Sequence, residues 1–482
     1  MPMRIRIFSC ALLSAQLAAL LIGAAALAPA QQAQPKQVAA RKMLYHDGQH
    51  ALSNWQSYPV RTVNDFAPTP PLVRLDRFGG RLDRSAAKTG YFYTQAIDGR
   101  WWFVDPDGHL YLNSAVAAVA PGKSANTTAA LLHTYGTSQA WMDSAARLLL
   151  QNGFNGVGAW SDVDLLRDAP TQSSRPLAYT VNLDMMSAYG AQRGGTYQAS
   201  GHKGYPQDTI FVFDPAFKAF AVQYAARAAA YRNDPNLIGY FSDNELPLLR
   251  SNLDDFLHLP AGDAGHRAAA RWMRQHKATE PTDELRAEFL EFEAERYFSI
   301  VTAAIHRADP HHLYLGCRFY GQQLHDAELF RAIAPYAGVV SINVYGMWQV
   351  GPDLAGMWER ESGKPFMVTE FYAKGEDSGM ANRTGAGWLV HTQDDRGLFY
   401  ETFVLSLLQS RACVGWHWFK YQDNDPDDPH ADPSNRDSNK GIVDRVYKPY
   451  DPLLDRMSEL NQRMYGVVDG MDAGQASAHP EW

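Results

Sequence analysis

Cysteine is scarce in this chain: three among 482 residues, at positions 10, 317 and 413. A disulfide framework is therefore excluded as the basis of the fold, and no Cys/His spacing matches a structural zinc site. Glycine-rich phosphate loops are missing too. Neither GxGxxG nor GxxxxGK[ST] occurs, which removes the common dinucleotide and P-loop readings, and neither H-x-H nor HExxH occurs to suggest a metal-dependent hydrolase. There is no excess of basic charge. Lys and Arg number 44 against 52 Asp and Glu, a net charge of −8, so no positive field invites nucleic acid. After the first thirty residues no stretch of 18 consecutive apolar residues appears, and no transmembrane helix is expected from there on. No internal repeat or low-complexity tract is visible.

The composition is globular, with 46% hydrophobic and 20% charged residues. Aromatic residues reach 12%, with 12 Trp and 24 Tyr, a supply of flat side chains for stacking as well as for core filling. Arg4 and Arg6 precede an apolar run from Ile7 to Ala28 that contains no acidic residue. The run closes on Ala28-Pro29-Ala30, a small-x-small site, before the polar Gln31-Gln32-Ala33-Gln34. Residues 1–30 therefore read as a secretory signal peptide, with an uncleaved membrane anchor as the rival. Its removal takes away Arg4 and Arg6 and moves the net charge from −8 to −10. The protein is then expected to be secreted or periplasmic, with no membrane segment left, and Cys317 and Cys413 to be free and buried.

Residues 31–90, with Pro68, Pro70 and Pro71 among polar neighbours, read as irregular, an extended N-terminal lead-in. Trp101–Val104, the turn Asp105-Pro106-Asp107-Gly108 and Leu110–Leu112 then spell a β-hairpin. Eight short apolar runs follow: 110–118, 153–160, 177–185, 237–244, 313–319, 339–345, 365–372 and 414–421. Between them lie helical patterns. Phe399, Phe403 and Leu407 recur at i+4; Leu285, Phe289 and Phe292, continued by Phe298, Val301 and Ile305, mark another helix; Trp141–Asn152 is closed by Gly153. Eight strands alternating with helices predict an α/β fold with a parallel sheet closed as a (β/α)8 TIM barrel, with a short N-terminal extension and β-hairpin. An open doubly wound sheet is the competitor. The expected organisation is a signal peptide at 1–30, an extension at 31–90, a catalytic barrel at 91–470 and a tail at 471–482.

In such a barrel the chemistry sits where strands end. Run four ends in Ser242-Asp243-Asn244-Glu245 and run seven in Thr369-Glu370. A carboxylate at the end of an apolar strand is expensive to bury unless it is paired or used. Strands four and seven face each other across a barrel mouth, so Glu245 and Glu370 can point at one molecule. Two carboxyls on one ligand suit glycoside hydrolysis, one as proton donor and one as nucleophile. Either glutamate alone also reads as a helix cap or salt bridge.

The Asn-Glu after strand four and the Glu after strand seven resemble the signature of clan A retaining glycoside hydrolases. The blocks RWWFVDPDGHLYLNSAV (100–116), LIGYFSDNELP (237–247), DPHHLYLGCRF (309–319), VVSINVY (339–345), PFMVTEFYAKGEDSGM (365–380) and 415–444 resemble the catalytic module of family 50 β-agarases. The resemblance implies Glu245 as general acid/base and Glu370 as nucleophile. Asn244 would bond a sugar 2-hydroxyl, Tyr345 would hold the Glu370 carboxylate, and Trp418 would floor a sugar subsite, with Trp416 of the same strand parity in the cleft or packed inside. It implies an oligo- or polysaccharide substrate, a β-linked galactan, and no cofactor or metal. The same machinery on another β-glycan, or a non-catalytic sugar-binding barrel, are the alternatives.

The arginine that many clan members carry after strand two is missing; the chain has Gly158-Ala159-Trp160 there, and Arg318 on strand five is expected to supply the cation. Trp160, Asn343, His417, Trp348 and Trp388 complete the expected substrate-binding set, the last two as loop indoles exposed for stacking. The acidic run Asp423–Asp428 lacks the EF-hand register and reads as a solvated loop.

Overall fold

The structure is a computed structural model that describes residues 36–46, 49–194, 204–432 and 434–474. The expected signal peptide and the end of the expected tail lie outside the described residues. The organising element is an eight-stranded parallel sheet. Its strands are β1 (Asn113–Val116), β2 (Gly156–Val157), β3 (Ala178–Asn182), β4 (Leu237–Phe241), β5 (Leu313–Tyr314), β6 (Val340–Asn343), β7 (Phe366–Phe371) and β8 (Cys413–Trp418). One falls in each of the eight apolar runs, β8 beginning a residue early. The order across the sheet is β5-β4-β3-β2-β1-β8-β7-β6, so chain neighbours pair and β1 lies beside β8. β4 and β7 are buried along their whole length, which is why they read as continuous rather than alternating apolar runs.

The outer strands β5 and β6 also meet. Gly338 N–H donates to Tyr314 O at 2.9 Å, Ser341 N–H to Leu315 O at 3.1 Å, Phe319 N–H to Ser341 O at 3.0 Å and Asn343 N–H to Phe319 O at 2.7 Å. A parallel bridge pairs Phe319 with Ile342. The sheet is therefore strongly curled, its two edges brought together above short strand β5.

Helices follow the strands and cover the sheet. Asp283–Ala308 opens with the Thr282 side chain accepting the Leu285 N–H; it carries Asp283 and Glu284 in its first turn and His306 and Arg307 in its last, as the helix dipole favours. Gln393–Gln409 starts with a Thr392/Asp395 capping box. Ser138–Gln151 ends before Gly153, whose φ of +74° only glycine adopts freely. Two cores result. The larger packs helices on the outside of the sheet. The smaller fills its inside, joining inward residues such as Ile238, Leu315 and Met367 to Phe78, Phe92, Phe103 and Tyr111 of the lead-in and hairpin. The hairpin thus plugs one end of the sheet, and polar side chains are left to the other. Cys317 and Cys413 are free and buried. Among the described residues no helix is long and apolar enough to cross a membrane.

The lead-in corrects one expectation. It is not irregular: strand Gln37–Arg41 pairs with Gln56–Pro59 and with Trp388–Val390, far along the chain, and Arg81–Ser85 pairs with the hairpin. These short polar strands gain their order from the distant partners they pair with, which local pattern does not show.

The hairpin turn carries a buried acid cluster. Asp76 Oδ1 accepts the N–H groups of Phe78, Gly79 and Gly80, and its Oδ2 lies 3.0 Å from His109 Nδ1. Asp105 is fully buried, and burial, with the nearby Asp76 charge, pushes its carboxyl up to about 7. A carboxyl raised in the folded state gives stability that is complete below its unfolded value and is lost as pH rises through the folded one. Asp105→Asn is therefore expected to raise the melting temperature at pH 8 by about 1–3 °C and to leave it nearly unchanged at pH 4, as read by calorimetry across that range.

Candidate active site

The expected glutamates meet at the strand ends. Glu245 and Glu370 are 6% and 4% exposed, and the charge of Glu245 acts directly on Glu370. Asn343, at the end of β6, joins them. Its Nδ2 donates to Glu245 Oε1 at 2.7 Å and to Asn244 Oδ1 at 3.3 Å, while its Oδ1 accepts from Thr369 Oγ1 at 2.8 Å, next to Glu370.

Arg318 and Tyr345 hold Glu370 from two sides. Arg318 Nη2 donates to Oε1, and the Tyr345 hydroxyl donates to Oε2. Arg318 has no exposed surface, and its Nε and Nη1 have no protein acceptor. Its guanidinium lies 4.2 Å from the Trp160 ring centre. Burial pushes the Glu370 carboxyl up to about 7; the Arg318 charge opposes this most strongly, Glu245 adds to it, and the Tyr345 hydroxyl and Lys440 pull it back. Tyr345 is itself pushed well above its ordinary value by burial and by Glu370, so its hydroxyl stays a donor.

Four of these positions share a backbone device. Trp160, Asp184, Glu245 and Arg318, just past β2, β3, β4 and β5, have φ of +59°, +56°, +50° and +61°. Non-glycine residues rarely adopt this left-handed conformation, and sites that hold it are over-determined by their surroundings. Of the four, Trp160 meets Arg318, which holds Glu370, Glu245 is bonded by Asn343, and Asp184 accepts from Asn182 Nδ2 at 2.8 Å.

The tryptophans are partly corrected. Trp160 is 39% exposed and meets Phe419 edge-on at 5.8 Å, so these two rings line the opening. Trp416 and Trp418 have no exposed surface. Trp416 Nε1 donates to the Tyr400 hydroxyl, and Trp418 packs edge-on against Phe371 and donates to Lys440 O. Period-two alternation sends both outward to helix Gln393–Gln409, so Trp418 does not floor a subsite. His417, between them, points inward. Its Nε2 lies 2.7 Å from Asn113 Oδ1, Gly158 leaves room for its Nδ1, and burial, with Arg318, pushes it down to about 3, so it stays neutral. Trp348 and Trp388 are not exposed platforms either. They are 6% and 3% exposed, pack on Tyr58 of the lead-in, and donate to Pro59 O and Met347 O.

The acidic run is likewise structural rather than solvated at its key positions. Asp423 accepts from Asn439 Nδ2, the Lys440 and Gly441 N–H groups and the Tyr450 hydroxyl. Asp425 accepts from Ser124 Oγ and Asn126 Nδ2. These bonds fold the loop after β8 so that Lys440 Nζ, held by Asn435, lies 4.9 Å from the Phe419 ring. Phe419 and Lys440 were missed because their roles depend on that loop's return. The signal available was position alone: Phe419 follows strand eight directly. Among the described residues the one group with metal-ligand spacing is Asp76, Asp105 and His109, in the hairpin turn and not at these strand ends.

No family model matches the chain. It is similar to β-agarase B of Vibrio sp. (strain JT0107), 24% identical over 498 aligned positions that cover 80% of this chain and 50% of the relative. β-Agarase A of the same strain is 25% identical over 520 positions, covering 84% and 49%. The chain thus spans about half the length of these relatives. In structure it is similar to BpGH50, with a TM-score of 0.78, 27% identity and coverage of 91% of this chain and 96% of that one. The agarase AgWH50C shares the fold at a TM-score of 0.67 and 24% identity, over 83% of this chain and 67% of that one.

With Glu370 at about 7, any reaction that needs its ionised carboxylate is expected to lose rate, read as kcat/KM, below pH 7. Arg318→Met removes the strongest opposing charge and is expected to move that acid limb upward by about one unit or more, with at least about a fivefold loss at pH 7. A pH–rate profile of both proteins measures this.

Proposed function

We propose that the chain is an exported retaining glycoside hydrolase of the family 50 type, acting on a β-linked galactan such as agarose or its oligosaccharides. The observation that carries this reading is the carboxyl pair: two buried glutamates at the ends of β4 and β7, bridged by Asn343, with one held by Arg318 and Tyr345. Similarity to two β-agarases and to BpGH50 supports the substrate class. The hydrogen bonds between β5 and β6 support a closed (β/α)8 barrel. In this reading residues 1–30 direct export, 31–90 brace the barrel, 91–470 form the catalytic domain and 471–482 a tail.

The roles follow from the surroundings. Glu370, with the Arg318 cation on one oxygen and the Tyr345 hydroxyl on the other, is the nucleophile: its carboxylate attacks the anomeric carbon. Glu245, which accepts from a neutral amide, gives its proton to the leaving oxygen. A covalent glycosyl-enzyme forms, and Glu245 then deprotonates the water that hydrolyses it. Asn244 orients a ring hydroxyl, and Trp160 and Phe419 offer faces to the sugar. Arg318, with no exposed surface, acts through the Glu370 carboxylate that it holds.

The test is product analysis on agarose, its oligosaccharides, β-glucans and aryl β-glycosides. Sugar release from agarose or its oligomers, with the β-anomer formed first by NMR, is expected, as is a loss of about 10⁴-fold or more in Glu370→Gln. Activity confined to glucans or simple galactosides would remove the substrate class and keep the chemistry; the α-anomer first would remove the retaining mechanism.

A further inference from the structure

Asp243 immediately precedes Asn244 and Glu245, yet its side chain serves a different element. It is 1% exposed. Both carboxylate oxygens accept the Met186 N–H, at 3.0 and 2.9 Å; Oδ1 also accepts the Ser187 N–H at 3.2 Å, and Oδ2 the Tyr297 hydroxyl at 2.6 Å. The helix it reaches, Met185–Arg193, begins after Asp184, whose own side chain makes no capping bond. Asp243 therefore caps, from the neighbouring strand, a helix that lacks its own cap.

The backbone on both sides is pinned. Leu183 N–H donates to Phe241 O and Met185 N–H to Ser242 O, which continues the β3–β4 pairing past the strands. Ser242 N–H donates to Gly316 O and Glu245 N–H to Cys317 O on the β5 side. Ser242 Oγ lies 2.7 Å from the Tyr297 hydroxyl and 2.9 Å from the Tyr314 hydroxyl. The chain thus leaves β4 tied left and right, and four residues past the strand reaches Glu245 at φ +50°. Nothing local favours that turn. A buried carboxylate that needs several donors is a costly way to cap a helix; burial pushes Asp243 up to about 7, against the helix N–H groups and Tyr297. What the cost secures is the chain direction just before the acid/base.

We propose that Asp243 is a positioning residue for Glu245, keying the loop after β4 to the helix after β3 so that the acid/base carboxyl stands at the leaving oxygen. The inference rests on the glycosidase reading and deepens it. Asp243 acts through Glu245 and touches no substrate.

The experiment compares Asp243→Asn, Glu245→Ala and wild type on two aryl β-glycosides of the agarose repeat disaccharide, phenyl and dinitrophenyl. A phenoxide leaving group needs the proton that Glu245 gives; a dinitrophenolate does not. If Asp243 positions Glu245, Asp243→Asn loses about 10²-fold or more in kcat/KM on the phenyl glycoside. It keeps kcat/KM within about threefold on the dinitrophenyl glycoside, since attack by Glu370 is intact. Azide then speeds turnover and gives the β-glycosyl azide, as in Glu245→Ala. Equal losses on both substrates without azide rescue, or no loss on either, would overturn the proposal. If Asp243→Asn does not fold, Tyr297→Phe removes one of the bonds and is expected to show the same leaving-group split at about fivefold; no split there overturns it equally. Turnover of neither glycoside by wild type overturns the glycosidase reading, and this inference falls with it.

Discussion

The buried pairing of Arg318 with Glu370 is the interaction on which the rest of the site depends. Both side chains are almost without solvent, so each charge is tolerable only because the other is there. Removing either leaves a bare ion in a space that cannot solvate it. The pair fixes one oxygen of the Glu370 carboxylate and Tyr345 fixes the other. Burial alone would protonate Glu370. The guanidinium is what keeps the ionised form within reach of neutral pH.

The surrounding architecture can be read as support for this pair. Arg318 leaves β5 through a left-handed turn and lies against Trp160, which leaves β2 the same way. Asn343 carries the order from Glu370's neighbour Thr369 to Glu245. Behind these side chains the loop after β8 is folded by Asp423 and Asp425, and the loops after β6 and β7 are braced by Tyr58 and Pro59 from the start of the chain. A lead-in of short polar strands thus serves the same centre as the sheet, by packing on the indoles of Trp348 and Trp388.

How much of this was legible in the sequence depends on the range of the interaction that sets each residue. The eight strands were legible because a parallel strand buried on both faces writes a continuous apolar run. That Glu245, Glu370, Arg318 and Asn343 meet was legible from polar residues at the ends of such runs, while the place of Tyr345 beside Glu370 came from the family resemblance. The strand-eight tryptophans were misplaced because the alternation was known but its phase was not; inward and outward differ by one residue, and the inward position went to His417. Trp348 and Trp388 were misplaced because their burial comes from residues some 290 to 330 positions earlier. Asp243 was overlooked because a buried cap for another element leaves no mark in its own strand.

The most direct measurement is to trap the covalent intermediate. A fluorinated glycosyl fluoride of the agarose repeat, with fluorine at carbon two, slows both steps of a retaining mechanism but the second more. Incubation, proteolysis and mass spectrometry then locate the sugar. The account predicts time-dependent inactivation with one sugar per chain, attached to Glu370. A sugar attached to any other carboxylate, or steady turnover of natural substrate by Glu370→Gln, would contradict it.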